Sequence, residues 1–280
     1  IKHRRDEGKD IPILECRRRC IALNYDGRFH MDVLPALPDD EGEYYTDRSI
    51  DTSILLTDRE LREWQHSNPK AYSEWFRECQ RVAFDLKMAT MAREGNVSVE
   101  EIPSEEVKTP LQIAIQILKR HRDVTYKGDA DDKPISIIIT TLAAAVYQNE
   151  LNVIDALVSI LDKMENAIVA QDGKWLIPNP VNSKENFADK WNEYPKRAER
   201  FFEWLNSAKA DMSKFLQLEG LDRISFSLSE SFGSNIVERS IKRYGIGIDA
   251  SQQEGNLKMA AKSGLLGTVG STLPKNTWHG

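Results

Sequence analysis

Apolar and polar residues first alternate along this chain and then recur at helical spacing. Over residues 16 to 36, two strand-like runs flank Asp26-Gly27, and this pair predicts a β-hairpin because both central residues of a type I′ turn need positive φ. In the second run Phe29, Met31 and Val33 share one face while His30, Asp32 and Leu34 share the other. Beyond a polar stretch at residues 39 to 51, Asn68-Pro69 is a helix start, followed by Tyr72, Trp75, Phe76, Cys79, Val82, Ala83 and Leu86 at core spacing. Thr109-Pro110 opens a second helix, with Leu111, Ala114, Ile115 and Leu118 on its apolar stripe, and Asn152 opens another, carrying Ile154, Leu157, Val158, Leu161 and Met164. Between them, the run from Ile135 to Tyr147 begins like a buried strand, but its length and Ala143-Ala144-Ala145 favour a buried helix. Gln171-Asp172-Gly173 predicts a turn into an extended loop fixed by Pro178 and Pro180, and residues 195 to 218 predict a last long helix around Phe201, Phe202, Trp204, Leu205 and Phe215. From Asp249 onward the Gly-, Ser-, Lys- and Gln-rich composition predicts a mobile tail.

Composition narrows the class. A chain of 280 residues with 40% hydrophobic content is long enough for a large core, and length alone allows one or two domains. No apolar run reaches a membrane span and no signal peptide opens the chain, so a cytoplasmic protein is expected. A net charge of -6 argues against wrapping duplex nucleic acid through a broad basic face. Cys16, Cys20 and Cys79 are odd in number; Cys16 and Cys20, at even spacing, are expected on one face of one strand as reduced packing residues.

Few residues stand out chemically. Asp32 lies on a rigid strand, where a carboxylate holds a hard cation such as Mg²⁺ only if other carboxylates lie beside it; alone it is an acid on a hairpin. Lys119 sits at the border of its helix stripe, among Lys119-Arg120-His121-Arg122, where meeting the helix dipole is the simplest role for a basic residue. If residues 135 to 147 are helical, Ser136 lies in the first turn, where free backbone N–H groups attract anions; capping or solvent contact is the plain alternative. Asn179 and Asn186 are either nucleotide contacts or turn-forming asparagines.

A set of segments in fixed order carries a resemblance. Arg18-Arg19-Cys20 with Phe29-His30-Met31-Asp32-Val33-Leu34-Pro35-Ala36, then Trp64, Ser67-Asn68-Pro69-Lys70-Ala71-Tyr72, Ile117-Leu118-Lys119-Arg120-His121-Arg122-Asp123, Lys133-Pro134-Ile135-Ser136, Ile177-Pro178-Asn179-Pro180, Glu185-Asn186-Phe187 and Asn276-Thr277-Trp278-His279-Gly280 resemble the bacterial cGAS/DncV-like nucleotidyltransferases. These are the signal synthases of CBASS antiphage systems and relatives of oligoadenylate synthase. The resemblance implies an α+β fold: part of a polymerase-beta-like mixed sheet at residues 1–66, a helical C-terminal lobe at 67–248 and a mobile tail at 249–280. It implies transfer of a nucleotidyl group from ATP or GTP with loss of pyrophosphate, assisted by two Mg²⁺ ions. Asp32 is then the third metal carboxylate, while Lys119 and Ser136 hold the triphosphate and Asn179 contacts the nucleotide. It further implies a ubiquitin-ligase-like partner that conjugates the C-terminal Gly280.

The chain departs from the family pattern in one respect. The Gly-Ser motif and paired carboxylates that precede the third carboxylate in the family do not occur before Asp32, and the chain opens at Ile1, so an N-terminally truncated piece is expected. Asp129-Ala130-Asp131 reads as polar loop and is no replacement. Two other readings stay open: a non-catalytic nucleotide-binding or scaffold module, and a linear, template-independent nucleotidyltransferase, which would require a broader basic surface.

Overall fold

The structure is a computed structural model, and it describes residues 13–17, 20–25, 29–39, 52–56, 64–129, 131–260, 265–267 and 270–272. In chain order the elements are β1 (Ile13–Cys16), β2 (Ile21–Tyr25), β3 (Phe29–Val33), β4 (Ala36–Pro38), β5 (Ile54–Leu56), β6 (Gln65–Ser67), α1 (Pro69–Cys79), α2 (Arg81–Gly95), α3 (Pro110–Thr125), α4 (Ser136–Val146) and α5 (Val153–Lys163). They continue with β7 (Val169–Gln171), β8 (Lys174–Leu176), β9 (Pro178–Asn179), β10 (Asn182–Asn186), α6 (Asp189–Glu193), α7 (Lys196–Gln217), α8 (Leu221–Phe232), α9 (Ser234–Gln253), β11 (Lys258–Met259), β12 (Leu266–Gly267) and β13 (Ser271–Thr272). Contacts divide the chain into two units, Ile1–Cys79 with Leu176–Ala188, and Gln80–Trp175 with Asp189–Gly280.

The first unit is small sheets and one helix. β1, β2 and β3 form an antiparallel meander, and β2 and β3 pair from Ile21 opposite Val33 to Tyr25 opposite Phe29. The hairpin forms as expected, but Tyr25 pairs with Phe29 rather than with residue 28, one residue off the register that a two-residue Asp26-Gly27 turn sets; Asp26-Gly27 itself, like Arg18 and Arg19, lies outside the described residues. Cys16 and Cys20 do not share a strand: β1 ends at Cys16, and the Arg17 amide donates to the Cys20 carbonyl at 2.9 Å, turning the chain between β1 and β2. A second antiparallel sheet runs β4-β5-β6. The buried Asn68 joins this sheet to α1: its Oδ1 accepts from the Ala71 amide at 2.9 Å and from the Thr52 hydroxyl at 3.0 Å, while its Nδ2 donates to Ser53 at 3.2 Å. A helix cap thereby also closes a loop.

In the second unit α3 is the central helix. Thr109 and Gln112 form a capping box at its start, and Leu111, Ala114, Ile115 and Leu118 are buried. It packs against α4, α5, α7 and α8. Helix α4 is buried on most sides, by Ile138, Ile139, Leu142, Ala143 and Ala144, which is why its sequence lacks an amphipathic period. Asn152 caps α5 by accepting from the Asp155 amide at 2.8 Å, and Leu157, Ile160 and Leu161 face the core. Phe201, Trp204 and Leu205 of α7 complete it; each such side chain contributes about 1.5–3 kcal/mol on burial. At the β7–β8 turn, Asp172 and Gly173 both take positive φ, 50° and 72°, as an Asp-Gly hairpin requires.

Three features depart from the sequence pattern. The expected single helix from Asn68 breaks at Gln80, whose buried side chain accepts a hydrogen bond from Thr109 at the start of α3. Residues 195 to 218 are not the last long helix, since α8 and α9 follow, and α9 runs through Asp249 to Gln253. Beyond it, β11 pairs with β12 and β13 in a three-stranded sheet where a mobile tail was expected. Gly280 lies outside the described residues.

The buried His121 fastens α3 to α7. The Trp204 indole N–H, which can only donate, bonds His121 Nδ1 at 3.1 Å, so Nε2 carries the proton shared with Asp211 Oδ2 at 3.0 Å. Ser231 of α8 donates to the same Asp211 oxygen at 2.6 Å. The Thr125 hydroxyl is no substitute donor, because it is committed to the His121 carbonyl at 2.9 Å. Trp204→Phe is therefore expected to destabilise the chain by at least about 1–3 kcal/mol, the cost of a buried acceptor left without its donor. Urea unfolding midpoints at constant m-value measure this; a loss under about 0.5 kcal/mol would show that the indole bond is immaterial.

Candidate phosphate site at the α3–α4 junction

Lys119 to Arg122 are four successive residues about 100° apart on the last turns of α3, and each meets something different. Arg120 Nε donates to the Phe232 carbonyl at 2.8 Å, capping the end of α8 with a cation. A side chain at Gly233, where φ is 87°, would meet the Arg120 guanidinium at 2.7 Å, so glycine is required there. His121 makes the tie to α7 described above. Arg122, its side chain only 7% exposed, sends Nη1 to the Pro134 carbonyl at 2.9 Å and to Ser136 Oγ at 3.0 Å, and Nε and Nη2 to Asp123 Oδ1 at 3.0 and 2.8 Å. Lys133 approaches the same Asp123 oxygen at 3.4 Å. Lys119 is the exception. It is half-buried and makes no hydrogen bond or ion pair among the described residues, and burial first, then the Arg122 charge, hold its ammonium below the usual lysine range.

Helix α4 begins without a side-chain cap. Its N-cap position is Ile135, which has no acceptor to offer, whereas α3 and α5 begin on Thr109 and Asn152, which cap fully. The first-turn N–H groups of α4 therefore remain available, with the Ser136 hydroxyl among them. An exposed hydroxyl resting on a buried guanidinium, an uncapped helix start and an unpaired lysine on the neighbouring helix are each groups that an anion of phosphate type takes as partners. Arg122 meets the Pro134 carbonyl, Ser136 and Asp123. Arg122 was missed in the sequence, although its place one turn after Lys119 is the signal for it.

The other expected site residues lie in the first unit. Asp32 on β3 faces Ala22 of β2 across the ladder, with the Arg17 guanidinium 3.7 Å from its carboxylate. The Cys20 thiol is pushed up by desolvation and then by the Asp32 charge. No cluster of three or more His, Cys, Asp or Glu side chains able to hold a metal occurs among the described residues, so these residues do not fit a two-metal centre. Asn179 is buried and its amide serves the loop: Oδ1 accepts from the Val181 amide at 3.0 Å and Nδ2 donates to Glu185 at 2.7 Å. Asn186 Oδ1 likewise accepts from the Ile177 and Ala188 amides, at 2.8 and 3.0 Å. Asp129 and Asp132 are held by Arg200, Lys196 and Arg197.

A cavity of about 1400 Å³ in the helical unit is a different place. It is lined mainly by apolar side chains such as Ile117, Phe215, Leu228 and Ile241. No described helix is long and apolar enough to cross a membrane.

One unit of small antiparallel sheets and one helical unit give an α+β fold of the kind found in nucleotidyltransferases. Solved structures agree: the chain superposes on the CD-NTase CdnG of Bradyrhizobium diazoefficiens, determined with GTP, at a TM-score of 0.60 and 19% identity, covering 85% of this chain and 71% of that one. By sequence it is 31% identical to a c-di-GMP synthase of Roseivirga ehrenbergii over 80% of this chain and 57% of the relative. It is 25% identical to the cyclic dinucleotide synthase CdnG of Bradyrhizobium diazoefficiens over 91% of this chain and 67% of the relative. No protein-family model matches. The chain belongs to the bacterial cGAS/DncV-like nucleotidyltransferases, and it spans 57% to 67% of the length of these relatives.

Because the folded Lys119 binds its proton less readily than the unfolded lysine, stability rises with pH between its lowered value and the usual 10.5. A phosphate reverses that balance by stabilising the ammonium. At alkaline pH, below the usual lysine value, tripolyphosphate binding should take up a proton, read by calorimetry in two buffers of different ionisation enthalpy. Lys119→Arg should keep binding and lose the uptake; unchanged uptake would exclude Lys119 as the phosphate ligand.

Proposed function

We propose that this chain is the nucleotide-binding helical lobe, with part of the catalytic sheet, of a cyclic dinucleotide synthase that joins GTP, ATP or both with release of pyrophosphate. The observation that carries the reading is Lys119, a half-buried cation without a partner among the described residues, on the helix next to the uncapped start of α4. The two sequence relatives are named as cyclic dinucleotide synthases, and the structural relative was determined with GTP. In this reading Lys119 and the Ser136 hydroxyl hold the triphosphate, fixing the leaving group by position and charge. Asp32 is the one metal carboxylate that the described residues supply, and magnesium-dependent turnover would need others beside it. Signalling in antiphage defence, and conjugation at Gly280, are the roles the family resemblance adds.

A second reading is a nucleotide-binding module without turnover, favoured by the absence of a carboxylate cluster among the described residues. Binding and turnover separate the two. Lys119→Ala should weaken GTP or ATP binding to the chain by roughly ten- to a hundred-fold, the equivalent of one lost charge-assisted contact of about 1.5–3 kcal/mol. Asp32→Asn should leave that affinity within about two-fold and abolish pyrophosphate release wherever the protein turns over. Calorimetric titration with GTP and ATP, together with a pyrophosphate assay, tests both variants. Equal loss of binding in the two, or no nucleotide binding at all, would overturn the assignment.

A further inference from the structure

We propose that Arg122 is the positioning residue of the phosphate site, setting the Ser136 hydroxyl as a donor and holding the start of α4 open to an anion; this rests on the nucleotide-binding reading above. A guanidinium has five N–H donors and no acceptor, and Arg122 makes four hydrogen bonds at the junction: two to Asp123 Oδ1, one to the Pro134 carbonyl and one to Ser136 Oγ. Because Arg122 Nη1 donates to Ser136 Oγ at 3.0 Å, the hydroxyl oxygen is an acceptor in that bond and its own proton is directed elsewhere. Ser136 is exposed while the Arg122 side chain is 7% exposed, so the proton is available on the solvent side, where a phosphate oxygen would arrive. Nη1 also holds the Pro134 carbonyl at 2.9 Å, which fixes the residue preceding the uncapped Ile135. The same charge acts on Lys119, lowering its proton affinity until an anion arrives. One buried cation thus orients the hydroxyl and the helix start without touching the nucleotide.

The groups facing Arg122 limit the alternatives. Asp123, half in solvent and shared with Lys133, is the only carboxylate bonded to it among the described residues, so its charge is incompletely neutralised at the junction. A guanidinium placed only to tie α3 to the preceding loop would need the Pro134 bond alone.

A double-mutant cycle read by tripolyphosphate affinity tests the proposal. Arg122→Lys keeps the charge and loses the fork; it should weaken tripolyphosphate binding by about the same factor as Ser136→Ala, and the double variant should bind no worse than either single one. Should Arg122→Lys fail to fold, Asp123→Asn gives a surface route to the same question: it releases the other end of the guanidinium, and should weaken binding with Ser136 present and change nothing when Ser136 is alanine. Arg122→Gln should in addition reduce the alkaline proton uptake at Lys119, because the repelling cation is gone, a readout that a merely structural tie would not move. Multiplicative losses in the Arg122–Ser136 and Asp123–Ser136 pairs, or unchanged proton uptake, would overturn the positioning role while leaving Lys119 and Ser136 as ligands. If Lys119→Ala and Ser136→Ala themselves leave tripolyphosphate affinity unchanged, the underlying nucleotide-binding reading falls instead.

Discussion

The second unit depends on the angular fan of one helical turn. Lys119, Arg120, His121 and Arg122 are consecutive, so the helix itself separates their side chains by about 100° each and sends them to different neighbours. Arg120 ends α8, His121 ties α7 through Trp204 and Asp211, and Arg122 holds the start of α4. Any rotation of α3 by one residue would misplace all of them together. The capping box of Thr109 and Gln112 at the other end of the helix fixes where that turn begins, so a cap ten to thirteen residues away sets the geometry of these side chains.

That arrangement leaves one cation unused. Arg120, His121 and Arg122 have found partners inside the fold, and Lys119 has none among the described residues. A half-buried ammonium costs desolvation that nothing in the described chain returns, while α4 begins on an isoleucine that cannot cap it. Each is a small loss of stability, and the two occur on adjacent helices linked by Arg122. Losses of that kind are tolerated where a ligand supplies the missing partner, and an anion with several oxygens supplies both.

Legibility followed the physics of each signal. The caps Asn68, Thr109 and Asn152 and the Asp172-Gly173 turn were readable because their side chains or φ preferences act locally, and the β2–β3 hairpin because its alternation has period two. The break at Gln80 was not, since apolar residues keep helical spacing through it and the cause is a side-chain bond to Thr109, twenty-nine residues away. Helix α9 was obscured by Gly245 and Gly247, each about 1 kcal/mol less favourable than alanine in a helix, and β11 to β13 are too short to show a period. In the site, Lys119 and Ser136 came from the family resemblance, whereas Asn179 could not be sorted between nucleotide and turn until its bonds to Val181 and Glu185 were known. Arg122 stayed hidden because its partners Pro134 and Ser136 are reached only across a loop.

Charge placement explains why an acidic chain suits this work. The net charge of -6 repels polyphosphates in general, so affinity must come from a local site rather than from a broad field. Arg122 and Lys133 share a single carboxylate, Asp123, and Lys119 on the same helix as Arg122 has no anionic partner among the described residues, which leaves a local positive excess within a negative protein. Asp32 presents the opposite case: an anion on a sheet with Arg17 3.7 Å away, partly compensated by its own chain. A metal would have to displace that guanidinium or share the carboxylate with it. Metal chemistry at Asp32 thus requires additional ligands to overcome the Arg17 contact, whereas the phosphate reading proposed above rests on Lys119 and Ser136 alone.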